Sequence, residues 1–391
     1  MTNPPRLLLI NYECPPLGGG AGTATAALAR EFAALGADVR VLTSTFENLP
    51  RHESQNGISI HRIPVVRRRA DRSSVFEMLT FIASACWHGL TLTRNWRPDA
   101  TLAFFGIPGG PPALWLNWMR GIPYIVSLRG GDVPGHQPGQ LDTHHRLTKP
   151  FIKLIWRQAR AVVANSTGLR TQALITAPHL QIPVIPNGVD TTLFRPSEKS
   201  AIGNRQSAII NLLFVGRLSP EKGLHTLLDA LAATSGFRSP PSSLSLTLAG
   251  DGPDRAALQA QATRLGLTDR VTFAGWIPRE RLPELYRAAD IFVFPSTDEG
   301  MPNTVLEAMA SGLPVIACRI AGCEDLVEEG ITGLLIPPND TAALATAIAT
   351  LCNDAPLRTR LGQSARTRVL AHFTWRRAAE EYVKLLQPPG L

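Results

Sequence analysis

The chain lacks the marks of several common protein classes. Its 391 residues include five cysteines, Cys14, Cys86, Cys318, Cys323 and Cys352. The count is odd and no CxxC occurs, which argues against a disulfide framework or a zinc site and fits a reducing cytoplasm. No long uncharged apolar run is present. The N-terminal run Leu7–Ile10 is shorter than the about 7–15 residues of a secretory signal. The longest apolar region, "VFEMLTFIASACWHGLTL" (75–92), contains Glu77 and His88, so it reads as a partly buried helix; a membrane-surface helix is the lesser alternative. A clean G-x-G-x-x-G is missing around Gly18, Gly20 and Gly22, and the second strand ends "VLTSTFE", with no acidic residue at the spacing a ribose would need. NAD binding is therefore disfavoured.

Acid is scarce in one half only. Residues 1–189 hold 19 Lys+Arg and 10 Asp+Glu, whereas residues 190–391 hold 20 and 21. The basic excess gathers at Arg67, Arg68, Arg69 and Arg72. Such a face could meet anionic lipid or phosphate. The plain alternative is a solvated surface, and no nucleic-acid partner is expected.

What is present is a repeated order of elements. An apolar fraction of 44% and this length predict two globular domains. "RLLLIN" (6–11), a Gly/Pro loop, the helical "TATAALAREFAALG" (23–36) and "ADVRVLTS" (37–44) make a β-loop-α-β unit, hence a parallel sheet. Further strands are expected at 99–106, 123–130, 161–166 and 182–190. A polar linker follows at 191–208, and a second strand series at 209–218, 244–252, 271–275, 291–296, 314–318 and 333–337. An amphipathic helix spans 373–386. Ligands of such sheets bind at the strands' carboxyl ends, and the expected site is a cleft between the two domains.

Several loops at those ends could carry chemistry. Gly18, Gly19 and Gly20 precede a helix, where glycine and free N–H groups can cradle an anion. Arg217 and Lys222, in "FVGRLSPEKG", suit a diphosphate. Trp276 and Ile277, after the strand "FAG", could hold a flat base. In "EGMPNTVLEAMASG" (299–312), Pro302 fits the first position of a helix running to about 311. N–H groups near Asn303, Thr304 and Val305 would face a phosphate. Glu307 lies one turn beyond Asn303 and could accept from a ribose diol, and Glu299 could reach another polyol. Each feature alone also reads as an ordinary turn, core aromatic or solvated charge.

The ordered set resembles glycosyltransferase family 4, a retaining family with the GT-B fold. It comprises the glycine loop, "PNGVD" (186–190), "FVGRLSPEKG" (214–223), "LAGDGP" (248–253), "FAGW" (273–276) and the E-x7-E stretch. The resemblance implies an α/β fold of two Rossmann-like domains, their parallel sheets facing a central cleft. The domains would cover 1–190 on the acceptor side and 209–372 on the nucleotide-sugar side, with 373–391 crossing back to the first. It implies that Arg217 and Lys222 neutralise the diphosphate leaving group. Glu299 would meet the donor sugar and Glu307 the ribose. Gly300, Met301, Pro302, Asn303, Thr304 and Val305 would lie over sugar and phosphates, Trp276 and Ile277 at the base, and Gly18–Gly20 opposite the donor. No metal or other cofactor is expected, and no DxD motif stands in a suitable loop.

One departure falls in "SLRGGDVPG" (127–135). Arg129 stands where several family members carry a histidine, followed by Gly130, Gly131 and Asp132. An arginine cannot act as a base, so Arg129 is assigned to orienting an acceptor and Asp132 to one of its hydroxyls. His136, His144 and His145 read as surface residues. The implied activity is sugar transfer from a nucleotide donor to a hydroxyl of a glycan or lipid-linked acceptor, in cell-surface polysaccharide or glycolipid synthesis. The enzyme would be cytoplasmic, or peripheral on the inner face of the membrane. The alternatives are a sugar-nucleotide epimerase or hydrolase of the same fold, or a non-catalytic binding protein.

Overall fold

The computed structural model describes residues 4–69, 74–135, 142–197, 209–234 and 244–386. Arg72, His136, most of the expected linker (198–208) and the side chains of His144 and His145 lie outside the described set. The chain forms two compact units, Met1–Asn187 with Trp375–Leu391, and Gly188–Thr374.

Unit 1 runs β1 (Arg6–Ile10), α1 (Gly20–Ala34), β2 (Asp38–Ser44), β3 (His52–Gln55), β4 (Ile58–Ile63), α2 (Val75–Asn95), β5 (Ala100–Phe104), α3 (Gly110–Arg120), β6 (Tyr124–Ser127), α4 (Asp142–Gln158), β7 (Ala161–Val163) and α5 (Thr167–Thr176). Among the described residues its strands form one sheet in the order β3-β4-β2-β1-β5-β6-β7. Every pairing is parallel except β3 with β4. This hairpin, closed by Asn56–Gly57, was not among the expected strands. Conversely, 182–190 contributes isolated bridges, Ala164 to Val184 and Val189 to Thr374, rather than a strand.

The central strand shows why the sheet is covered on both faces. Side chains alternate across a strand, so Leu7 and Leu9 join one core and Leu8 and Ile10 the other. The second of these cores packs under α2 and α3. The first packs under α1 and a helix from much later in the chain.

Unit 2 runs β8 (Ile210–Val215), α6 (Leu224–Ala233), β9 (Leu244–Ala249), α7 (Arg255–Arg264), β10 (Val271–Gly275), α8 (Leu282–Ala288), β11 (Ile291–Phe294), α9 (Asn303–Ala310), β12 (Val315–Cys318), α10 (Ala321–Glu324), β13 (Gly333–Ile336), α11 (Thr341–Asn353) and α12 (Ala355–His372). The described strands are all parallel, in the order β10-β9-β8-β11-β12-β13. The order reverses direction between β8 and β11. In open α/β sheets such a switch point opens a crevice at the strands' carboxyl ends.

After unit 2 the chain returns to unit 1 as α13 (Trp375–Leu386). Trp375, Ala378, Ala379 and Tyr382 are buried in the core beside α1. The Tyr382 hydroxyl lies 2.7 Å from Ser127 Oγ, and its ring meets Phe32 edge-on.

Candidate active site

The two loops leaving the unit 2 switch point carry the basic and acidic residues singled out in the sequence. After β8 the chain makes a single 3-10 turn, Pro220–Lys222, before α6. After β11 it makes the loop that enters α9. Hydrogen bonds join the two loops: Ser296 Oγ donates to the Glu221 carbonyl at 3.0 Å, and the Thr297 N–H donates to the same carbonyl at 2.9 Å. The result is that Lys222 and Glu299 form an ion pair, both side chains mostly buried. Ser296 Oγ also donates to Glu299 Oε1 at 3.4 Å. Arg217, five residues before Lys222, is exposed, and its charge together with that of Lys222 helps to lower the Glu221 carboxyl on the same loop.

A third loop supports the first. Gly250 follows β9 at φ +138°, and a Cβ there would run into the Gly216 carbonyl. Only glycine lets the "AGDGP" turn lie this close. The Leu218 N–H then donates to the Asp251 carbonyl at 3.0 Å, which fixes the backbone beside Arg217.

α9 begins at Asn303, one residue later than the sequence predicts. Pro302 is the residue before the helix, with extended backbone (φ −77°, ψ 110°), and no side chain caps this end. From Val305 to Ala310 the helix is buried on every side. Met301 and Pro302 are also buried, Gly300, Asn303 and Thr304 partly so.

Glu307 is accordingly only 3% exposed, rather than on an outward face shared with Asn303. It is not solvated but bonded on both oxygens: Tyr286 Oη donates at 2.9 Å and Arg279 Nη1 at 3.0 Å. Burial pushes its carboxyl above the usual range, opposed by Arg279 and Tyr286. Tyr286 is fully buried, whereas Arg279 is partly exposed and lies over the Phe194 ring. Sequence reasoning missed both partners. Trp276 is 74% exposed, so it is not a core aromatic, while Ile277 packs against the unit 2 core.

Unit 1 places its own candidates at the carboxyl ends of its strands. Gly18–Gly20 lead into α1, with Gly19 as its capping residue. Beneath the loop lies the buried Glu13, which the sequence did not single out. Its carboxylate accepts from the Gly19 N–H at 3.4 Å, and a Cβ on Gly18 would strike it. Its position just before a glycine loop was the available signal.

Asp132, assigned to an acceptor hydroxyl, is buried and otherwise engaged. It accepts from the backbone N–H groups of Gly106 at 2.6 Å and of Arg129 and Gly130 at 3.0 Å each. The short carboxylate satisfies turn N–H groups that would otherwise be orphaned, and so holds the loop's shape. Arg129 donates to Asn187 Oδ1 at 2.5 Å and lies over Phe104.

Two parallel-sheet units with these loops define a GT-B glycosyltransferase. The family described as glycosyl transferases group 1 matches residues 198–368, and the glycosyl transferase 4-like domain matches 19–188. The 2-deoxystreptamine glucosyltransferase of Streptomyces kanamyceticus is 30% identical over 85% of this chain and 90% of its own. The glycogen synthase of Mycobacterium tuberculosis is 27% identical over 96% and 92%. Sucrose-phosphate synthase from Thermosynechococcus elongatus superposes with a TM-score of 0.81 at 26% identity, over 97% of this chain and 98% of that one. The chain belongs to the group 1, family 4-like glycosyltransferases, and it is an enzyme of the glycosyl-transferring class.

Proposed function

We propose that the protein is a retaining glycosyltransferase that moves a sugar from a nucleotide-diphosphate donor to a hydroxyl of a glycan or lipid-linked acceptor. The observation that carries this reading is the Lys222–Glu299 ion pair at the unit 2 switch point, with exposed Arg217 on the same loop. A leaving diphosphate needs its developing charge stabilised by groups already in place. Lys222 and Arg217 supply that charge, and the start of α9 adds backbone N–H groups. Gly300, Met301, Pro302, Asn303, Thr304 and Val305 shape the wall over sugar and phosphates.

Glu299 does two jobs in this reading. It fixes the Lys222 ammonium before the donor arrives, and its other oxygen accepts from a sugar hydroxyl. Glu307, oriented by Tyr286, takes the ribose diol, and Trp276 with Ile277 takes the base. Within unit 1, Gly18, Gly19 and Gly20 offer an anion-binding loop, and Arg129 holds the acceptor-side loop that Asp132 shapes. Retention follows from same-face displacement: the acceptor hydroxyl attacks as the diphosphate leaves, and the leaving phosphate takes its proton. No enzymic nucleophile and no metal is needed.

Relatives named for an aminocyclitol and for a glucan are about equally similar, which supports a broad class of hydroxyl acceptor. A peripheral place on the inner membrane face draws support from α2, the one described helix long and apolar enough to span a bilayer. Its outer face exposes Phe76, Leu79 and Trp87, with Arg94 near its end.

The test is a thermal-shift screen against nucleotide sugars, followed by transfer assays with the best donor and proton NMR of the product's anomeric centre. Stabilisation by one donor family and retention of configuration are expected, with activity unchanged by EDTA. Donor turnover equally fast without any acceptor would overturn the transferase assignment in favour of hydrolysis.

A further inference from the structure

We propose that unit 1 carries a second ligand site, a basic cavity beside α2 that takes a small phosphomonoester. The cavity has a volume of 410 Å³ and lies against β2, β4 and the second half of α2. Its lining includes Arg40, Arg51, Arg62, His61 and His88, and no carboxylate lines it. None of the residues assigned above to donor or acceptor lines it either.

Arg62 is buried, Arg40 and His61 are half-buried, and Arg51 is exposed. Arg40 Nε, His61 Nε2 and Arg62 Nε have no hydrogen-bond partner among the described residues. The neighbouring acids are already engaged. Asp38 accepts from Trp96 Nε1 at 2.6 Å, and Glu53 pairs with Arg62 Nη1 at 2.8 Å. Arg40 lies over the Trp96 ring, and the His61 ring meets His52 at a tilt. Glu53 and Asp38 thus offset part of the charge of Arg62 and Arg40, against three guanidinium groups around the cavity. The cavity lining therefore carries more positive than negative charge, which an anionic ligand would balance.

The chemistry of the lining narrows that ligand. Guanidinium groups match the oxygens of phosphate, and three of them around one cavity favour a dianion over a carboxylate. Burial, then His52 and Arg40, lower His61 to about 4, so the arginines bring the charge at neutral pH. The volume lies within the range of small-molecule sites, larger than a bare phosphate requires. Thr91 and Asn95 add polar groups for hydroxyls, whereas no Trp, Tyr or Phe lines the cavity to stack a base. A phosphorylated sugar or polyol fits these features, and a nucleotide does not. The same phosphomonoester could be free in solution or be a lipid headgroup, since exposed Trp87 sits next to His88 on α2.

The experiment uses the full chain carrying Arg217→Ala and Lys222→Ala, so that phosphate binding at the donor loops is removed. Glucose 6-phosphate, inorganic phosphate and glucose are titrated by calorimetry. One saturable site for glucose 6-phosphate is expected, weaker for inorganic phosphate and absent for glucose. Adding Arg40→Gln or Arg51→Gln should weaken it about tenfold or more. Arg51 is exposed, so its replacement leaves the fold intact, and melting curves check the Arg40 variant.

A second arm uses phosphatidylcholine vesicles containing phosphatidic acid or phosphatidylglycerol. Binding to phosphatidic acid vesicles alone, lost with Arg51→Gln, identifies the lipid as the source of the phosphomonoester. Failure of both glucose 6-phosphate and phosphatidic acid to bind, affinity unchanged in the arginine variants, or equal binding to both anionic vesicles would each overturn the proposal.

Discussion

Lys222 and Glu299 stand 77 residues apart in the chain and meet as an ion pair where the unit 2 sheet reverses its strand order. The pair explains how a flexible lysine can be ready for a leaving group. A free ammonium would lose side-chain entropy when the donor binds; here the carboxylate has already restrained it. Lys222→Ala is expected to lower kcat about 100-fold or more, in the range for removal of one preorganised charge-stabilising group. Single-turnover kinetics with the donor found in the screen measure this, and an unchanged rate removes Lys222 from the reaction.

Glu307 offers a test with a sign. Burial holds its carboxyl above the ordinary range, so the folded state binds a proton more readily than the unfolded chain. Stability contributed this way is greatest at low pH and falls as pH rises through the window between the ordinary value and the raised one. Arg279→Ala removes the charge that opposes the shift and widens that window. The variant's loss of melting temperature should therefore be greater at neutral pH than in mild acid. Its nucleotide affinity should fall more steeply than wild type as pH is lowered, because a protonated Glu307 accepts poorly from a ribose. Parallel pH profiles of wild type and variant would detach Arg279 from Glu307.

Tyr286→Phe isolates the other partner. It deletes one hydroxyl and leaves the ring in the core. A loss of about 1–3 kcal/mol in stability is expected, since the buried carboxylate is left short of a donor, together with weaker nucleotide binding. Denaturant unfolding and calorimetry read the two effects separately, and wild-type values in both would dismiss the contact.

Two glycines should behave in opposite ways. Gly250→Ala places a Cβ against the Gly216 carbonyl at a backbone angle that L-residues avoid, so a loss of several kcal/mol or failure to fold is expected. Gly19→Ala meets nothing within 4 Å. It should melt close to wild type while donor turnover falls, if the loop serves the donor. Equal melting temperatures for the two variants would contradict the packing described.

The membrane reading is tested on α2 rather than on the arginine cluster. Arg67 donates to the Tyr12 and Arg69 carbonyls and lies over the Tyr12 ring, so its removal would disturb the loop as well as the charge. Leu79→Ser with Trp87→Ser should abolish sedimentation with anionic liposomes and leave donor turnover in solution unchanged. Undiminished sedimentation would return that face to ordinary solvent exposure.

The legible parts of this protein were those written locally. "RLLLIN", the glycine loop and the following helix announce a parallel sheet through period and turn chemistry, and the unit 2 strands were found where the apolar runs predict them. The hairpin of β3 and β4 escaped because "HESQ" is polar and exposed, although Asn56–Gly57 marks its turn. The environment of Glu307 escaped for another reason. Its partners Tyr286 and Arg279 lie 21 and 28 residues earlier, on α8 and the turn before it, and only the folding of unit 2 brings them to it. Asp132 looked like a ligand because a carboxylate in a glycine-rich loop can serve either a substrate or the loop itself. Pairing decides between these, and pairing is not in the sequence.

The position of α13 bears on how the protein is made. Tyr382 and Trp375 complete the core that α1 begins, yet they leave the ribosome only after the whole of unit 2. Domains generally fold as units during synthesis. Here the first unit to emerge must wait with Phe32 and Leu28 uncovered, while the second can close without it. Chaperone demand should therefore fall on the N-terminal half of the nascent chain, and a released chain truncated before Trp375 would present a finished unit 2 tethered to an unfinished unit 1.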